Sequence, residues 1–303
     1  MMRETVSTEG LPSDSLLCLP DTGAVRGGIV ALHGSSLPQR DQPIFHHLAR
    51  TLTPLGYVVS TFDRRSAAEG EDTPLDIQAR DARQAVRALK DRINAPVGLF
   101  GFSQGAWSAA LAASGDDTVA FLVLVGCSGV SPADQMRFYG DELLRRGGFD
   151  STARAAQLRL RIAIEDALRG TGTWEEAQAL LEESRDESWF PVAFESADPP
   201  SSEDRWPDMD YDPEPSFTRV TVPTLLLYGA DEECVPAEAS KEIWSRASQA
   251  SGNRDITMVD IQDCGHFPAA GESAASLEVP LSAFSPAYTA ALHTWFEVLD
   301  VSA

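Results

Sequence analysis

The residues best suited to chemistry lie in the pentapeptide Gly101-Phe-Ser-Gln-Gly105, which fits the pattern G-x-S-x-G. A short apolar run, 97–100, precedes it, and an alanine-rich run with helical spacing follows it. In a strand–turn–helix context such a serine is held on a strained turn, with its hydroxyl exposed above the sheet edge. The pattern indicates Ser103 as a nucleophile, although a small-residue turn without chemistry can have the same letters.

A serine hydroxyl needs a general base, and that base needs an acid to orient it and to stabilise its charged form. Of the five histidines, His266 follows the last predicted strand in a Gly-His loop, where it can reach the sheet edge that carries Ser103. His46 and His47 fall within a predicted helix and His293 within the last one, where packing or a surface position is the simpler interpretation. The chain order of serine, acid and histidine favours His266 as the base.

Predicted strands and helices alternate along most of the chain, as a parallel sheet covered on both faces requires. Continuous apolar runs predict strands at 28–32, 57–62, 97–100, 121–125, 224–228 and 256–261. Helical spacing predicts helices at about 39–55, 75–92, 238–250 and 286–299. Residues 15–20 are a predicted edge strand, and 1–14 a loose arm. We therefore predict an α/β fold with a mostly parallel, doubly wound sheet.

The alternation stops between residues 130 and 216, where no strand-like run occurs. We interpret this segment as a helical, acidic cap inserted between two strands of a core formed by 15–129 and 217–303. The alternative is a mobile acidic linker. Residues 171–216 contain fourteen carboxylates and two arginines, together with several large aromatic side chains that linkers rarely carry. An apolar, negatively charged entrance would favour neutral or amine-bearing substrates over anionic ones.

At 303 residues, the chain is long enough for one α/β domain with a sizeable insertion. Its net charge of −22 opposes binding to nucleic acid and to anionic membranes. The N-terminal residues lack the apolar core of a signal peptide, so we expect a cytoplasmic protein. The four cysteines have no C-x-x-C spacing, and no His/Asp cluster or phosphate-binding glycine loop occurs, so we expect no metal and no cofactor.

Four motifs together resemble those of the α/β-hydrolase superfamily: His33-Gly34, Gly101–Gly105, Gly229–Pro236 and Gly265-His266. The resemblance covers about residues 15–129 and 217–300. The region around the candidate nucleophile is similar to bacterial capped esterases related to dienelactone hydrolase and to the hydrolase domain of prolyl oligopeptidase. The resemblance implies the α/β-hydrolase fold, a Ser-His-acid triad and an acyl-enzyme.

The resemblance places the acid of the triad in the loop Gly229–Pro236. Counting forward from Gly229, or back from Val235-Pro236, gives Glu232, where aspartate is the commoner residue in the family. Asp231 lies one position earlier and remains the alternative. Glutamate fits the role if the backbone retreats slightly to accommodate its extra methylene. If every acid in this loop were solvated, a buried imidazolium would lack an orienting group.

An oxyanion hole needs two N–H donors aimed at the developing alkoxide. Gln104, directly after the nucleophile, supplies one of them. The resemblance implies that Ser35, in the loop after the first central strand, supplies the other. We expect His33 in that loop to act as a brace through hydrogen bonds, without taking part in proton transfer.

Two arginines, Arg64 and Arg65, follow the strand predicted at 57–62. They could hold a substrate carboxylate. Residues in such positions more often pair with acids nearby in the chain, here Asp63 or Glu69, and we favour that interpretation.

These features favour a serine hydrolase acting on a small-molecule carboxylic ester or lactone, with a thioester close behind. Alternatively, an acyltransferase, a cyclase or a peptidase would use the same triad. A third hypothesis is a catalytically silent binding protein with this fold. All three triad positions hold competent residues, which argues against the third hypothesis.

Overall fold

The computed structural model of the protein describes residues 2–21, 24–35, 39–65, 73–194, 205–270 and 279–300. Within these ranges the strands are β1 (Met2–Val6), β2 (Ser15–Leu19), β3 (Gly27–Leu32), β4 (Tyr57–Thr61), β5 (Val97–Phe102), β6 (Val119–Val125), β7 (Thr224–Gly229) and β8 (Ile256–Ile261). They form one sheet in the order β1-β2-β4-β3-β5-β6-β7-β8. The pairs β1–β2 and β2–β4 are antiparallel and all others are parallel, which confirms the predicted mostly parallel sheet.

Helices cover both faces of the sheet. In chain order they are α1 (Pro43–Leu52), α2 (Leu75–Ile93), α3 (Gln104–Ala113), α4 (Pro132–Arg146), α5 (Ser151–Arg169), α6 (Trp174–Ser184), α7 (Phe190–Ala193), α8 (Glu214–Phe217), α9 (Ala237–Ser251) and α10 (Pro286–Val298). Helices α1 and α10 pack on one face, and α2, α3 and α9 on the other. None of the helices in the described ranges is both long and apolar enough to cross a membrane.

The central strands read as continuous apolar runs because both of their faces are buried. Along β3, Ile29 and Ala31 join the apolar cluster beneath α1 and α10, whereas Val30 and Leu32 join the cluster beneath α2 and α3. The parallel strands share one direction, so their carboxyl ends meet at one edge of the sheet. In open α/β sheets, ligands bind at that edge.

The N-terminal residues differ from the prediction. Residues 2–6 form β1, which pairs with β2 in a register that joins Met2 to Leu19 and Val6 to Ser15. The expected loose arm is therefore wrong for these residues, and β2 is not the edge strand. The sequence of β1 is polar and most of its side chains are exposed or half-buried, because an outer strand is held mainly by backbone hydrogen bonds. Its composition therefore gave no apolar signal.

Between β6 and β7 the described chain is helical, with α4 to α7 packed around an apolar cluster of their own. This cluster includes Leu144, Leu160, Ile164, Leu181 and Trp189. Side chains cap the three long helices, since Ser131, Asp150 and Thr173 each accept a backbone N–H of the first turn. The segment is thus built of ordinary amphipathic helices that bury their apolar faces against one another.

Candidate active site

Ser103 lies at the junction of β5 and α3, with φ +53° and ψ −120°. A positive φ is costly for a residue that has a Cβ, so the surroundings must hold it in place. Strand and helix approach so closely that a Cβ on Gly101 would lie 2.4 Å from the carbonyl oxygen of Gly105. A Cβ on Gly105 would in turn lie 2.4 Å from the carbonyl oxygen of Leu32. The Ser103 amide donates to the carbonyl of Val125 at 2.9 Å, which ties the turn to β6.

The loop after β3 runs against this turn. A Cβ on Gly34 would lie 3.2 Å from the Cβ of Ser103, so glycine is what allows the close approach. Ser35 follows in the loop and lines the same cavity as Ser103 and Gln104. Gln104 is the first residue of α3, where backbone N–H groups lie outside the helical hydrogen-bond ladder at the positive end of the dipole. The structure thus brings both predicted oxyanion residues to the candidate nucleophile.

Arg64, in the loop after β4, ties these two segments together. Its guanidinium hydrogen-bonds the side-chain oxygen of Gln104 and donates to the carbonyls of Gly34 at 3.3 Å and Ser35 at 3.4 Å. Its backbone N–H donates to Nε2 of His33 at 3.1 Å. Burial, together with the charge of Arg64, lowers the pKa of His33 to about 4, so the imidazole stays neutral and accepts this bond. Arg64 therefore links the loop after β3 to the start of α3, a set of contacts that differs from the local pairing predicted for it.

The neighbouring arginine has a different partner from the predicted ones. Arg65 forms a paired contact with the carboxylate of Asp81, at 2.7 and 3.0 Å. The carboxylate of Asp63 accepts the backbone N–H of Arg40 at 2.7 Å. Glu69, the other predicted partner, lies outside the described residues.

In the loop after β7, the carboxylate of Glu232 faces the imidazole of His266, with 2.8 Å between Oε1 and Nδ1. The same oxygen accepts the backbone N–H of Cys234 at 2.9 Å and of Val235 at 3.1 Å. The Glu232 side chain is only 4% exposed. Two backbone amides and the imidazole therefore hydrogen-bond the same buried oxygen, and the amides fix the orientation of the carboxylate toward His266.

The two neighbouring acids have other partners. Asp231 is 79% exposed, and its carboxylate lies 3.0 Å from the guanidinium of Arg146. Glu233 accepts the backbone N–H of His266 at 3.0 Å. A Cβ on Gly265 would lie 2.3 Å from that Glu233 oxygen, so glycine leaves the space for it. Of the two predicted acids, the structure places Glu232 against the imidazole, and it adds Glu233 as a second carboxylate beside the histidine loop.

The His266 imidazole lies beside the nucleophile turn. Its ring centroid is 5.2 Å from that of Phe102, the residue before the serine. A Cβ on Gly126, which has φ +60°, would lie 2.7 Å from the imidazole Cε1, so glycine there provides both the turn and the space. Burial by itself lowers the pKa of His266, but the carboxylates of Glu232 and Glu233 outweigh it and raise the pKa above its usual value.

Three further histidines, His46, His47 and His293, lie away from Ser103 in helices α1 and α10. His47 shares a hydrogen bond of 2.9 Å between its Nε2 and the hydroxyl of Thr289, and burial lowers its pKa to about 4. His46 pairs with Asp41 at 2.5 Å. His293 lies on the exposed side of α10. His46 and His47 lie in a helix, as predicted, and His293 has the surface position expected of it.

A cavity of about 250 Å³ has Ser103 in its wall. The core contributes Ser35, Leu75, Gln104 and Trp107, and the segment between β6 and β7 contributes Pro132, Gln135, Met136, Arg161, Trp206 and Asp208. The aromatic side chains of residues 171–216, which were expected at the entrance, do not all lie there. Trp206 lines the cavity, whereas Trp189 is 2% exposed within the helical cluster. The cationic Arg161 comes from α5, outside the acidic stretch considered in the sequence.

Among the described residues, Glu232, Cys234 and His266 offer ligand atoms that lie within 4.8 Å of one another, which is a spacing that could hold a metal ion. In this structure the carboxylate and the imidazole hydrogen-bond each other directly. Since Nδ1 of His266 and Oε1 of Glu232 are 2.8 Å apart, the arrangement fits an orienting pair better than a metal centre. The expectation of no metal stays a prediction.

A family model described as alpha/beta hydrolase family matches residues 29–277, most of the chain. The match spans β3 to the histidine loop and includes every predicted site residue. No curated protein matches the sequence.

Solved structures resemble the whole chain at low sequence identity. VinJ superposes with a TM-score of 0.58 at 16% identity, covering 99% of both chains. Est1E from Butyrivibrio proteoclasticus gives 0.54 at 17% identity, and the proline iminopeptidase of Mycobacterium smegmatis gives 0.53 at 16%, each covering 98% of both chains. At such identities the likeness shows the fold alone.

Proposed function

The chain belongs to the alpha/beta hydrolase family, and we propose that it is a serine hydrolase that cleaves a carboxylic ester or lactone. Ser103 is the nucleophile, His266 the general base and acid, and Glu232 the orienting acid. The backbone N–H groups of Ser35 and Gln104 bind the oxyanion. The observation that carries the proposal is the buried 2.8 Å contact between Glu232 and His266 beside the nucleophile turn.

Acylation follows from this geometry. Because Nδ1 of His266 donates to Glu232, its Nε2 is the basic nitrogen and takes the proton of the Ser103 hydroxyl. The serine oxygen attacks the carbonyl carbon, and the negative charge moves to the carbonyl oxygen, where the two N–H donors stabilise it. Collapse of this intermediate breaks the bond to the leaving alkoxide, which takes the proton from Nε2.

Deacylation repeats the same steps with water as the nucleophile. His266 removes a proton from water, the hydroxide attacks the acyl carbon, and Ser103 leaves with the proton that the imidazole returns. The products are a free acid and an alcohol, or one hydroxy acid when the substrate is a lactone. The atoms balance without a cofactor.

We also propose that residues 130–216 act as a cap over Ser103, on a core formed by 15–129 and 217–303 with β1 added to its sheet. The support is the cavity lining, since α4, α5 and the stretch containing Trp206 face Ser103 across it. A covered site restricts water and selects substrates by shape.

The test is a panel of esters of increasing acyl length, together with lactones, assayed on the wild type and on Ser103→Ala. The variant should lose activity by about a thousandfold or more while its thermal unfolding stays unchanged. Ser245→Ala, at an exposed serine of α9, is the matched control and should retain full activity. Most of the activity remaining in a folded Ser103→Ala variant would refute the proposal.

The covered cavity favours one second candidate, transfer of the acyl group to an acceptor other than water, as in an acyltransferase or a cyclase. The same residues would act, and only the deacylating nucleophile would differ. Adding alcohols or amines to the ester assay separates the two, because an acyltransferase yields the new ester or amide in preference to the free acid.

A further inference from the structure

Arg161 brings a positive charge to the wall of the Ser103 cavity. It extends from α5, and its side chain is 12% exposed. Its Nε is buried and has no hydrogen-bond partner within the described part of the chain. The carboxylate that faces it is that of Glu165, one helical turn further on, at 3.8 Å between Nε and Oε1. That distance is beyond a hydrogen bond.

Glu165 is already engaged by another arginine. Its side chain is fully buried, and its Oε2 accepts from Nε of Arg137 at 2.8 Å and from a terminal nitrogen of Arg137 at 2.5 Å. Arg169 lies 3.7 Å from the same oxygen. Arg137 and Arg169 each have a further carboxylate partner, whereas Arg161 has no second one among the residues described. The one buried carboxylate of Glu165 therefore faces three guanidinium groups. The positive charge of Arg161 is the one least balanced by carboxylates.

The surroundings of Arg161 make this charge costly. Burial lowers the pKa of the guanidinium against the opposing effect of Glu165, and the charge of Arg137 lowers it further. The group still stays protonated at neutral pH. The ring of Phe194 lies against it, with 5.7 Å from Cζ to the ring centroid. A buried charge without a close partner raises the free energy, and an anion entering the cavity would offset that cost.

Among the described residues, the cavity wall contains one other charged side chain, the carboxylate of Asp208. A carboxylate oxygen of Asp208 accepts the backbone N–H of Leu75 at 2.8 Å, so this acid is engaged with the core. Of the residues that the structure describes, Arg161 is therefore the one cation in the cavity wall, and its nearest carboxylate lies beyond hydrogen-bond distance.

We propose that Arg161 binds an anionic group of the substrate, so that the enzyme prefers esters or lactones that carry a carboxylate. This inference rests on the proposed function, because it assigns the charge of the molecule that Ser103 attacks. It opposes the expectation of neutral or amine-bearing substrates, which followed from the acidity of 171–216. The acidic residues act through a long-range field, which salt screens. Arg161 acts through a buried contact, which salt screens much less.

Three p-nitrophenyl esters of matched acyl length test the assignment. The hemiester of adipic acid carries a carboxylate, the hexanoate is neutral, and the ω-trimethylammonio hexanoate is cationic. A second pair, hexanoate esters of para-hydroxybenzoate and of phenol, places the charge on the leaving group. Together they cover both ends of a substrate.

The key variants are Arg161→Met, which removes the charge but keeps an apolar stem, and Arg161→Lys, which keeps the charge. In one of the two series, Arg161→Met should lower the anionic-to-neutral ratio of kcat/KM by about 10- to 100-fold, and Arg161→Lys should retain much of it. The control Arg159→Met removes an equal charge from a 61% exposed position on the same helix and should leave the ratio unchanged. Thermal unfolding confirms that each variant is folded.

Calorimetric binding of the same esters to Ser103→Ala separates this inference from the proposed function. In that background Arg161→Met should weaken binding of the anionic ester by a similar factor and leave the neutral ester unaffected. If no ester is hydrolysed but anion binding depends on Arg161, the proposed function fails, and only the assignment of Arg161 as an anion-binding residue stands. The inference is overturned if neither anionic ester depends on Arg161 in binding or in kcat/KM, or if Arg159→Met has the same effect.

Discussion

Three adjacent carboxylates follow β7, and each has a different partner. Asp231 points to the surface and pairs with Arg146, Glu232 orients the His266 imidazole, and Glu233 holds the backbone N–H of the same histidine. Asp231 and Glu232 also differ in exposure, since the Asp231 side chain is 79% exposed and that of Glu232 only 4%. A shift of one residue in this loop therefore decides which acid can serve His266.

Replacing each acid by its amide tests this division. Glu232→Gln should lower kcat/KM by about ten-thousandfold, because the amide does not stabilise the imidazolium and favours the wrong tautomer. Asp231→Asn should change it by no more than a few-fold, since this side chain lies at the surface. The measurement is ester hydrolysis at neutral pH with both variants checked for folding. A damaging Asp231→Asn and a mild Glu232→Gln would move the acid back by one residue.

The pH dependence tests the electrostatics of His266. The imidazole must be unprotonated to act as a base, so kcat/KM rises with pH through its pKa, which the two carboxylates raise above 6.5. Glu233→Gln removes one of these negative charges but keeps an oxygen acceptor for the His266 amide. The acid limb should therefore move to lower pH, and Asp231→Asn should leave it in place. An acid limb that stays fixed, or moves to higher pH, in Glu233→Gln would contradict this account.

At the scale of the elements, the site is assembled from loops that follow the carboxyl ends of five parallel strands. The loops after β3 and β5 carry the proposed oxyanion residues and nucleophile, and those after β7 and β8 carry the proposed acid and base. The loop after β4 carries Arg64, which bonds to both the β3 loop and the start of α3. Parallel topology places all five loops at one edge.

Arg64→Lys tests whether this cross-link positions the oxyanion donors. Lysine keeps the charge but loses the planar fork that reaches several acceptors, so kcat should fall by about 10- to 100-fold while KM changes little. Arg65→Lys, next in the chain and paired with Asp81, is the matched control. A purely structural role would instead lower the unfolding temperature with kcat preserved, and that result would contradict the positioning role.

What the sequence could predict depended on how local each signal was. The turn at Ser103 requires glycines within two residues on either side, and the loop after β7 is marked by Gly229 and Pro236, so short-range patterns predicted both segments. They did not decide between Glu232 and Asp231. The polar strand β1 and the contacts of Arg64 arise only from tertiary structure. Arg161 lies more than fifty residues from Ser103 in the chain, and only the packing of α5 brings it to the cavity. No residue pattern within a short window could report such a contact.

The whole molecule has a net charge of −22, whereas the wall of the Ser103 cavity contains the cationic side chain of Arg161. The long-range field repels anions and attracts cations, and salt screens it within about 10 Å at 0.1 M. Raising the ionic strength should therefore increase kcat/KM for the adipate hemiester by a few-fold, decrease it for the trimethylammonio ester, and leave the hexanoate unchanged. Equal salt dependence for the three esters would contradict this steering.

The proposed mechanism requires Ser103 to be an activated nucleophile that forms a covalent acyl-enzyme. A fluorophosphonate probe reacts with such a serine, and intact-mass measurement followed by peptide mapping locates the adduct. We expect a single adduct per chain on Ser103, none on Ser103→Ala, and labelling slowed by about a thousandfold or more in His266→Ala. A folded wild-type protein that forms no adduct, or one labelled at another residue, would contradict the claim and favour a catalytically silent binding protein.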